Sequence, residues 1–491
     1  MKKIISFLAF AFVLFTFVYI RIPSLLSHSV AYTYDQGRDF IAGANIILTH
    51  HIPFIGPTTG INGLFHGSWW YYLLAIPFVL FKGSPIGYYW FNLGIQFLSL
   101  CAFMVFSYIE FGALLSLLFS AIIAVAPYFI FTSLFVGNNI MVLPALLAFL
   151  ICNYYVFTKK NSTPILLMAV GLSLGFVAEF ELSFGIFVVP LYLFSLFLFS
   201  PLRKKIVQKR GVFFLTGLAI PFIPRMLFEL KNSFSQTKIL LSFLLHPTAH
   251  TQMTYQSIFS ERMLLFRGYY TDLFTANNIA LLFLTVAILF GVIFWVLKKR
   301  GASVIFFYLF LIVGLFFLST GYHDFFWKNY YEGIQYIFLF ALITIFGAQI
   351  RSGFSRLKTM VICGCLLIVS FVLVQQLVVS SKNKPPFDGL AVQEKAVDFI
   401  LKNQDTAKNY CVRIYTPPVI PHTYNYLFLY KKTAPSKEWV NETCWFIVEA
   451  DSNKERRQDW LQTNEPKDEH TVVVQKIKDI EVRKYSVLPK K

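Results

Sequence analysis

Apolar runs recur along the chain as far as Ser380, and short polar segments separate them. Each run approaches the roughly 20 residues that a helix, rising about 1.5 Å per residue, needs to cross a bilayer. The pattern therefore predicts an all-α polytopic membrane protein with about eleven transmembrane helices. The predicted spans are residues 4–20, 86–108, 113–131, 140–158, 163–180, 184–200, 211–228, 278–297, 302–319, 334–350 and 359–379.

One further apolar run, WWYYLLAIPFVLF at 69–81, is short and begins with aromatic residues. It predicts a helix that lies at the membrane interface or dips into the membrane. This run belongs to a long first loop, 21–85, and a second long loop covers 229–277. Apolar residues at helical spacing predict a short amphipathic helix over 39–48, with Asp35 just before it. Loops of this length usually carry function.

The basic residues define the orientation of the chain. With the N-terminus inside, the inner loops contain 15 basic residues and one acid, Glu110. Cytoplasmic loops are rich in Lys and Arg, so this orientation is predicted, and a full span at 69–81 would reverse it. The odd number of spans then places the C-terminal region outside. The inner basic residues are Lys2, Lys3, Lys159, Lys160, Arg203, Lys204, Lys205, Lys209, Arg210, Lys298, Lys299, Arg300, Arg351, Arg356 and Lys358.

All the other acidic residues of the membrane domain fall on the opposite, outer side. Charge at a bilayer is costly and usually functional, so the pattern predicts that the polar chemistry takes place on the outer face. These acids are Asp35, Asp39, Glu179, Glu181, Glu229, Glu261, Asp272, Asp324 and Glu332.

The composition agrees with a membrane protein. Hydrophobic residues make up 56% of the 491 positions and charged residues only 14%, whereas soluble domains are about 25% charged. The net charge of +18 is explained by the basic inner loops, without a nucleic-acid partner. The start MKK, followed by apolar residues 4–20, resembles a signal peptide, but no A-x-A pattern follows, so an uncleaved first helix is predicted.

A change of composition after Ser380 marks a second domain, which begins with the linker-like segment KNKPP at 382–386. Alternating helix and strand patterns predict a small extracytoplasmic α/β domain over 382–491, after a transmembrane domain over 1–381. The predicted helices are 391–403 and 454–462, and the predicted strands are 411–415, 444–450 and 470–477.

Cys411 and Cys444 each begin a predicted strand of this second domain. Neighbouring strands would bring them together as a disulfide, and two buried free thiols are the alternative. Cys363 and Cys365 form a CxC in an apolar run without a nearby His cluster, so no metal site is predicted. No Walker A, GxGxxG or HExxH sequence is present, which disfavours an ATP-driven pump and a zinc protease.

Several segments follow one another in a specific order. The first loop contains YTYDQGRDFIAGANIILTHHIPFIGP and GLFHGSWWYYLLAIPFVLFKGSP, and GLSLGFVAEFELSFGIFVVP (171–190) and PFIPRMLFELKNSF (221–234) come later. The terminal domain contributes YTPP, YNYLF and WFIVEAD. These segments resemble the GT-C glycosyltransferases, in the branch of protein mannosyltransferases and lipid A aminoarabinose transferases (glycosyltransferase family 39).

The resemblance implies an enzyme that takes a sugar, a hexose or a pentose, from a polyprenyl-phosphate carrier. The sugar would pass, usually with inversion, to a glycan, lipid or protein acceptor outside the cytoplasmic membrane. A divalent metal is compatible with this chemistry but is not required, because basic residues can flank a lipid monophosphate leaving group.

Inverting transfer needs one base that deprotonates the acceptor hydroxyl as it attacks the anomeric carbon. The resemblance assigns this role to Asp35, and helix capping is the alternative. Family members often have Asp-Glu where Gln follows Asp35 here, so the second acid would be Asp39, Glu181 or Glu179. Asp39 would otherwise cap a helix or pair with Arg38.

The leaving lipid phosphate gains negative charge, which basic groups would stabilise. Interfacial snorkelling beside lipid headgroups is the alternative for each of them. The phosphate candidates are Arg225, Arg262, Arg267 and Lys328, with His51, His66, His246 and His323 as further donors.

A third group of residues is predicted to contact the sugar or the acceptor. Glu179 and Glu181 point to different faces of a helix end, so one would face the site and the other headgroup water. The adjacent asparagines at the matching outer end would bind sugar hydroxyls or cap a helix. The candidates for sugar and acceptor binding are His51, Asn138, Asn139 and Tyr331.

Two other classes of protein predict different patterns. A transporter or flippase of lipid-linked glycans would have polar residues at mid-membrane and pseudo-symmetric halves, and the sequence shows neither. A non-catalytic envelope scaffold would not need acids on one side only. The favoured interpretation is a multi-pass glycosyltransferase of the cell membrane.

Overall fold

Helices form nearly all of the ordered structure up to Arg351, and a small sheet with three helices follows it. The computed structural model describes residues 2–159, 161–207, 210–245, 253–273, 303–323, 325–351, 389–405, 409–440, 443–467 and 470–487, together with Thr285. The helices of the first part are α1 (Lys2–Leu26), α2 (Tyr34–Leu48), α3 (Trp69–Leu80), α4 (Pro85–Phe111), α5 (Ala113–Val125), α6 (Pro127–Ser133), α7 (Val142–Thr158), α8 (Pro164–Phe180), α9 (Leu182–Leu198), α10 (Ser200–Ile206), α11 (Gly211–Ala219), α12 (Ile223–Lys231), α13 (Ser235–Leu245), α14 (Tyr255–Thr271), α15 (Ser303–Thr320) and α16 (Ile334–Arg351).

These helices lie on nine of the eleven predicted spans. The other two, 278–297 and 359–379, fall outside the described residues apart from Thr285. Within the described part of the chain, five helices are long and apolar enough to cross a membrane, or seven if each of two bent pairs is one span. The predicted polytopic, all-α architecture is confirmed.

The outward face of α1 illustrates why such helices need a lipid environment. Phe7, Phe12 and Phe15 are 70%, 68% and 62% exposed. Soluble proteins rarely expose a contiguous stripe of large apolar side chains. The same helix buries Val13 and Phe17 in the core, so one face packs on the protein and the other suits hydrocarbon.

Two predicted spans are bent rather than straight. Helices α5 and α6 meet at 60°, and α9 and α10 meet at 102°. Pro127 and Pro201 stand in the first turn of the second helix of each pair. Proline has no N–H and its ring clashes with the preceding turn, so a helix cannot continue unbroken through it. The continuous span expected over 113–131 is therefore corrected, whereas the span expected over 184–200 lies almost wholly on α9 and bends only at its end.

The helix in the first loop begins earlier than the apolar pattern predicts. Its first residue is Tyr34, not Asp39. The side chain of Gln36 accepts a hydrogen bond from the Thr33 N–H at 2.8 Å, as part of a capping box. Asp35 therefore lies inside the first turn of α2, and Asp39 does not cap the helix. Polar caps, rather than apolar spacing, set this helix start.

The second domain combines three helices with a four-stranded sheet, which confirms its α/β class. The sheet has the order β1-β2-β4-β3, with β1 parallel to β2 and the remaining pairs antiparallel. The elements are α17 (Gly389–Lys402), β1 (Val412–Tyr415), α18 (His422–Tyr430), β2 (Thr443–Val448), α19 (Lys454–Asn464), β3 (His470–Ile477) and β4 (Ile480–Val487).

Two elements of this domain are absent from the sequence prediction. Helix α18, HTYNYLFLY, is aromatic on most faces, so it lacks an amphipathic period. Strand β4, IEVRKYSV, carries charges that mask its alternating buried positions. The expected linker at 382–386 lies outside the described residues.

Cys411 and Cys444 form a disulfide with a Cα–Cα distance of 4.7 Å. They come together because β1 and β2 are neighbours, with Val412 opposite Trp445 in the ladder. Of the two alternatives left open by the sequence, the structure contains the disulfide.

The second domain rests on the first loop through its opening helix. The N–H groups of Leu390 and Ala391 donate to the carbonyl oxygens of Val30 and His28 at 3.2 and 3.1 Å. The ring of His28 also contacts Glu394 at 2.5 Å. These contacts hold the start of α17 against the chain that leads into α2.

Candidate active site

Three charged side chains of α2 are joined by ion pairs. Arg38 binds Asp35 and Asp39 together, with N–O distances of 2.8 Å to each carboxylate. Trp70 of α3 donates its indole N–H to the second oxygen of Asp39, also at 2.8 Å. The side chain of Asp35 is 50% exposed, whereas that of Asp39 is 4% exposed. Asp35 is thus the member of the pair that a substrate can reach.

Asp39 is the buried member of these ion pairs. Burial raises the pKa of the Asp39 carboxyl to about 6, although Arg38 and Trp70 oppose the shift. The predicted pairing of Asp39 with Arg38 is confirmed, and the alternative of helix capping is wrong because α2 begins five residues earlier.

A second ion pair lies where the first loop crosses helices α8 and α12. Arg225 donates through Nε to Glu179 Oε1 at 2.7 Å, and through Nη1 to the Phe65 carbonyl at 2.9 Å. Glu179 is fully buried, so the expectation that one of the two α8 glutamates lies in headgroup water is wrong for it. Glu181 is also buried, at 4% exposure.

The first loop approaches Glu179 so closely that only glycine fits at Gly67. A Cβ there would collide with the Glu179 carboxylate, and the Gly67 N–H donates to the Glu179 carbonyl at 2.7 Å. The neighbouring His66 accepts the Leu182 N–H on Nδ1 at 3.2 Å. Burial lowers the pKa of His66 to about 3, so the ring is neutral at physiological pH.

A third acidic position is Glu332, which precedes α16. It accepts hydrogen bonds from the Tyr128 hydroxyl at 2.5 Å and from Asn139 Nδ2 at 3.2 Å. Burial raises the pKa of Glu332 to about 7. Asn138 instead donates to the Phe180 carbonyl at 2.8 Å. The two asparagines thus bridge elements, and the short helix that they begin has Gly137 as its N-cap.

Three of the remaining candidates contact protein groups. Arg262 is fully buried, donates to the carbonyls of Ser319 and Tyr322 at 3.2 and 2.9 Å, and stacks on Phe326 at 4.8 Å. These contacts fix the turn after α15. The Tyr331 hydroxyl donates to the Leu315 carbonyl at 3.0 Å. Lys328 forms an ion pair with Asp272.

Several candidates have exposed side chains. Lys328 keeps 54% of its side chain exposed, and both Arg267 and His51 are also exposed. His246, and Asp324 among the outer acids, lie outside the described residues.

A cavity of about 130 Å³ opens between the first loop, helices α9 and α13, and the segment that follows α15. Its lining is mostly apolar, with Ile61, Leu64, Phe187, Leu240, Phe243 and Phe326 among its residues. Leu64 precedes Phe65, which Arg225 holds, and Phe326 lies against Arg262. Arg225 and Arg262 therefore each hold a residue in or next to the wall of this apolar cavity.

Glu332 and this cavity were not singled out by the sequence. Glu332 was one of nine outer acids, and its only local signal is its position directly before an apolar run. The cavity is lined by segments from four separate parts of the chain. Within the described residues, no group of three His, Cys, Asp or Glu side chains could hold a metal ion.

Solved structures share this architecture. The chain has a TM-score of 0.57 to ArnT from Cupriavidus metallidurans in the apo state, at 12% identity over 98% of this chain and 97% of that one. The same protein bound to undecaprenyl phosphate gives 0.56, at 11% identity and 98% coverage of both chains. The chain therefore has the fold of these ArnT structures, and the predicted polytopic membrane architecture is confirmed. No family model and no curated protein sequence matches the chain.

Proposed function

We propose that this protein is a membrane glycosyltransferase that takes a sugar from a polyprenyl-phosphate carrier. The observation that supports this proposal most strongly is the half-exposed Asp35 on a rigid helix within a GT-C fold that spans 98% of the chain. The similar ArnT structure contains undecaprenyl phosphate, a carrier of this class.

Asp35 is the general base of the proposed reaction. Its carboxylate takes the proton of an acceptor hydroxyl while the oxygen bonds to the anomeric carbon of the sugar. The bond from that carbon to the phosphate oxygen breaks, and its electron pair leaves with the lipid phosphate. Attack opposite the leaving group inverts the anomeric configuration. Arg38 and Asp39 hold Asp35 in place.

The donor is proposed to bind at the apolar cavity, whose residue Thr59 follows Thr58, a partner of Arg38. The apolar cavity between the first loop, α9, α13 and the segment after α15 suits the first isoprene units of the carrier. Arg225 and Arg262 bind protein groups and are little exposed. Lys328 pairs with Asp272 but keeps 54% of its side chain exposed, and Arg267 is exposed. The phosphate contact therefore falls to Lys328, two residues from the cavity residue Tyr330, with Arg267 as the second cation.

The protein is proposed to lie in the cytoplasmic membrane, with the N-terminal end of α1 inside and the second domain outside. Two observations support this orientation. The basic loops follow the positive-inside rule, and the second domain contains a disulfide, which suits an oxidising compartment.

Transfer by the purified protein tests the proposal. The donor is undecaprenyl phosphate carrying a radiolabelled sugar, and the acceptor is an envelope extract from cells without the gene. We expect Asp35→Asn to lower turnover by about 10²–10⁴-fold with unchanged donor binding. Asp35→Asn removes basicity and keeps shape.

Glu110→Gln, on the predicted inner side, is the matched control and should transfer normally. Near-normal transfer by Asp35→Asn would refute the base assignment. Translocation of the labelled lipid by the wild-type protein without any transfer would refute the enzyme and favour a flippase.

A further inference from the structure

The second domain reaches the proposed base through helix α18, which packs directly on α2. A Cβ built on Gly37 would lie 2.6 Å from the carbonyl oxygen of His422 and 2.5 Å from its carbonyl carbon. Real Cβ atoms do not approach this closely, so only glycine permits the contact. His422 is the first residue of α18, and Gly37 lies between Asp35 and Arg38.

Aromatic and polar contacts fix this packing along both helices. The Phe40 ring, one turn beyond Gly37, stacks on Tyr88 at 3.8 Å and meets Tyr426 edge-on at 5.4 Å. The Tyr426 hydroxyl donates to the carbonyl of Gly83 at 2.8 Å. Helix α18 is thus held against α2 at two successive turns.

The half-buried ring of His422 interacts with both members of the exposed charge pair. Burial lowers the pKa of His422, Arg38 lowers it further, and Asp35 opposes them. The ring is therefore a neutral imidazole at physiological pH, with one donor and one acceptor nitrogen. Such a group can donate a hydrogen bond to an acceptor hydroxyl or accept one from it.

The position of His422 favours the acceptor rather than the donor. The apolar cavity proposed for the carrier is lined by the first loop, α9, α13 and the region around α15, and by no residue of the second domain. The acceptor must approach Asp35 from another direction, and α18 packs on the buried face of α2 at Gly37, between Asp35 and Arg38 in sequence.

We propose that the second domain completes the acceptor site, with His422 beside the Asp35–Arg38 pair binding the acceptor hydroxyl that Asp35 deprotonates. This inference rests on the proposed transferase function. It makes α18 a determinant of acceptor choice, and it gives a reason for the close packing of α18 on α2 at Gly37.

Kinetics with the full-length protein in detergent test this proposal, using the labelled undecaprenyl-phosphate donor and the envelope extract as acceptor. We expect His422→Ala to raise the apparent KM for the extract by about 10- to 100-fold. The Kd of the donor, measured by its retention on immobilised protein, should stay unchanged. His422→Gln keeps a donor and an acceptor group and should restore part of the loss.

His470→Ala is the matched control, because this exposed histidine lies on the outermost strand β3 of the same domain. It should keep wild-type values. Gly37→Ala tests the same proposal in a second way. Its methyl group must push α18 away from α2, while the imidazole of His422 is kept. It should raise the acceptor KM as His422→Ala does, whereas Gly94→Ala, with open space around its Cβ, should not.

The outcomes separate the two proposals. Absence of transfer and of donor binding in the wild-type protein would overturn the proposed function, and this inference with it. Normal transfer by the wild type with an unchanged acceptor KM in His422→Ala overturns the role of His422 alone. A weaker donor Kd in His422→Ala also overturns it, because the residue would then belong to the donor side.

Discussion

The indole N–H of Trp70 donates to the carboxylate of Asp39 at 2.8 Å and so ties α3 to the charged side of α2. Asp39 in turn binds Arg38, and Arg38 binds Asp35. The orientation of the exposed carboxylate therefore depends on a buried residue that lies 35 positions further along the chain (70 − 35).

The raised pKa of Asp39 predicts a pH dependence of stability. Its folded pKa is about 6 and the ordinary value is 3.8, so the folded state prefers the protonated form. The contribution of this group to stability is greatest below about pH 4 and is lost as the pH rises to about 6. In thermal unfolding, the stability of Asp39→Asn relative to the wild type should therefore increase between about pH 4 and pH 6. Above about pH 6 the difference between the two should stay constant. A constant difference between pH 4 and 6 would contradict the shift.

Trp70→Phe should raise the pH at which the contribution of Asp39 to stability is lost. The substitution removes a hydrogen bond that lowers the pKa of Asp39, so stability should continue to fall beyond pH 6. Trp69→Phe is the matched control, because the Trp69 indole donates to the Pro221 carbonyl at 2.7 Å and not to an acid. Its effect on unfolding should be equal at all pH values. Identical pH curves for both variants would exclude a specific Trp70–Asp39 bond.

Arg225 is expected to stabilise the first loop. Arg225→Met leaves the buried Glu179 unpaired, which should cost about 3–5 kcal/mol in the free energy of unfolding. The double variant Arg225→Met with Glu179→Gln should recover much of this loss, since no uncompensated charge remains. Thermal unfolding of the wild type, the two single variants and the double variant in detergent measures the coupling between Arg225 and Glu179. Retention of the labelled donor on the same proteins measures donor affinity. If the single variants are stable but bind the donor more weakly, Arg225 contacts the donor phosphate instead.

The disulfide predicts redox-dependent stability of the second domain. Cys411 and Cys444 are each 1% exposed, so the bond should resist mild reductant in the folded protein. Cys411→Ser with Cys444→Ser should lower the unfolding free energy by about 2–5 kcal/mol. A gel-shift thiol assay after denaturation measures the bond directly. Two free thiols in protein from oxidising medium would show that it does not form.

Labelling of introduced cysteines tests the orientation. Ser452 is exposed in the second domain, and Lys204 is exposed on α10, in a predicted inner loop. An impermeant thiol reagent applied to intact cells should label Ser452→Cys and spare Lys204→Cys until lysis. The opposite pattern would reverse the orientation.

The sequence determined the class of protein and most helix positions. Apolar runs of membrane-spanning length must form helices, because lipid offers no partner for backbone N–H and C=O groups. It also indicated three of the four strands of the second domain, and β3 begins and ends as expected at His470 and Ile477. The match fails at Pro127, where the mean apolar character hides a break within the predicted span 113–131.

The sequence could nominate charged residues but could not pair them. Glu179 and Arg225 are 46 positions apart, and their 2.7 Å contact exists only because α8, α12 and the first loop meet. For the same reason, Arg225 and Arg262 are candidates for the phosphate in the sequence but bind protein groups in the fold.

Tertiary structure alone decided which carboxylate is accessible. Asp35 and Asp39 are one helical turn apart with the same chemistry, and nothing local distinguishes them. Packing of α3 buries Asp39 against Trp70, while Asp35 stays half exposed and His422 arrives beside it from a domain more than 380 positions away (422 − 35). Local sequence sets the periodicity of helices, because that depends on neighbours in the chain. Burial depends on what the folded chain brings from elsewhere.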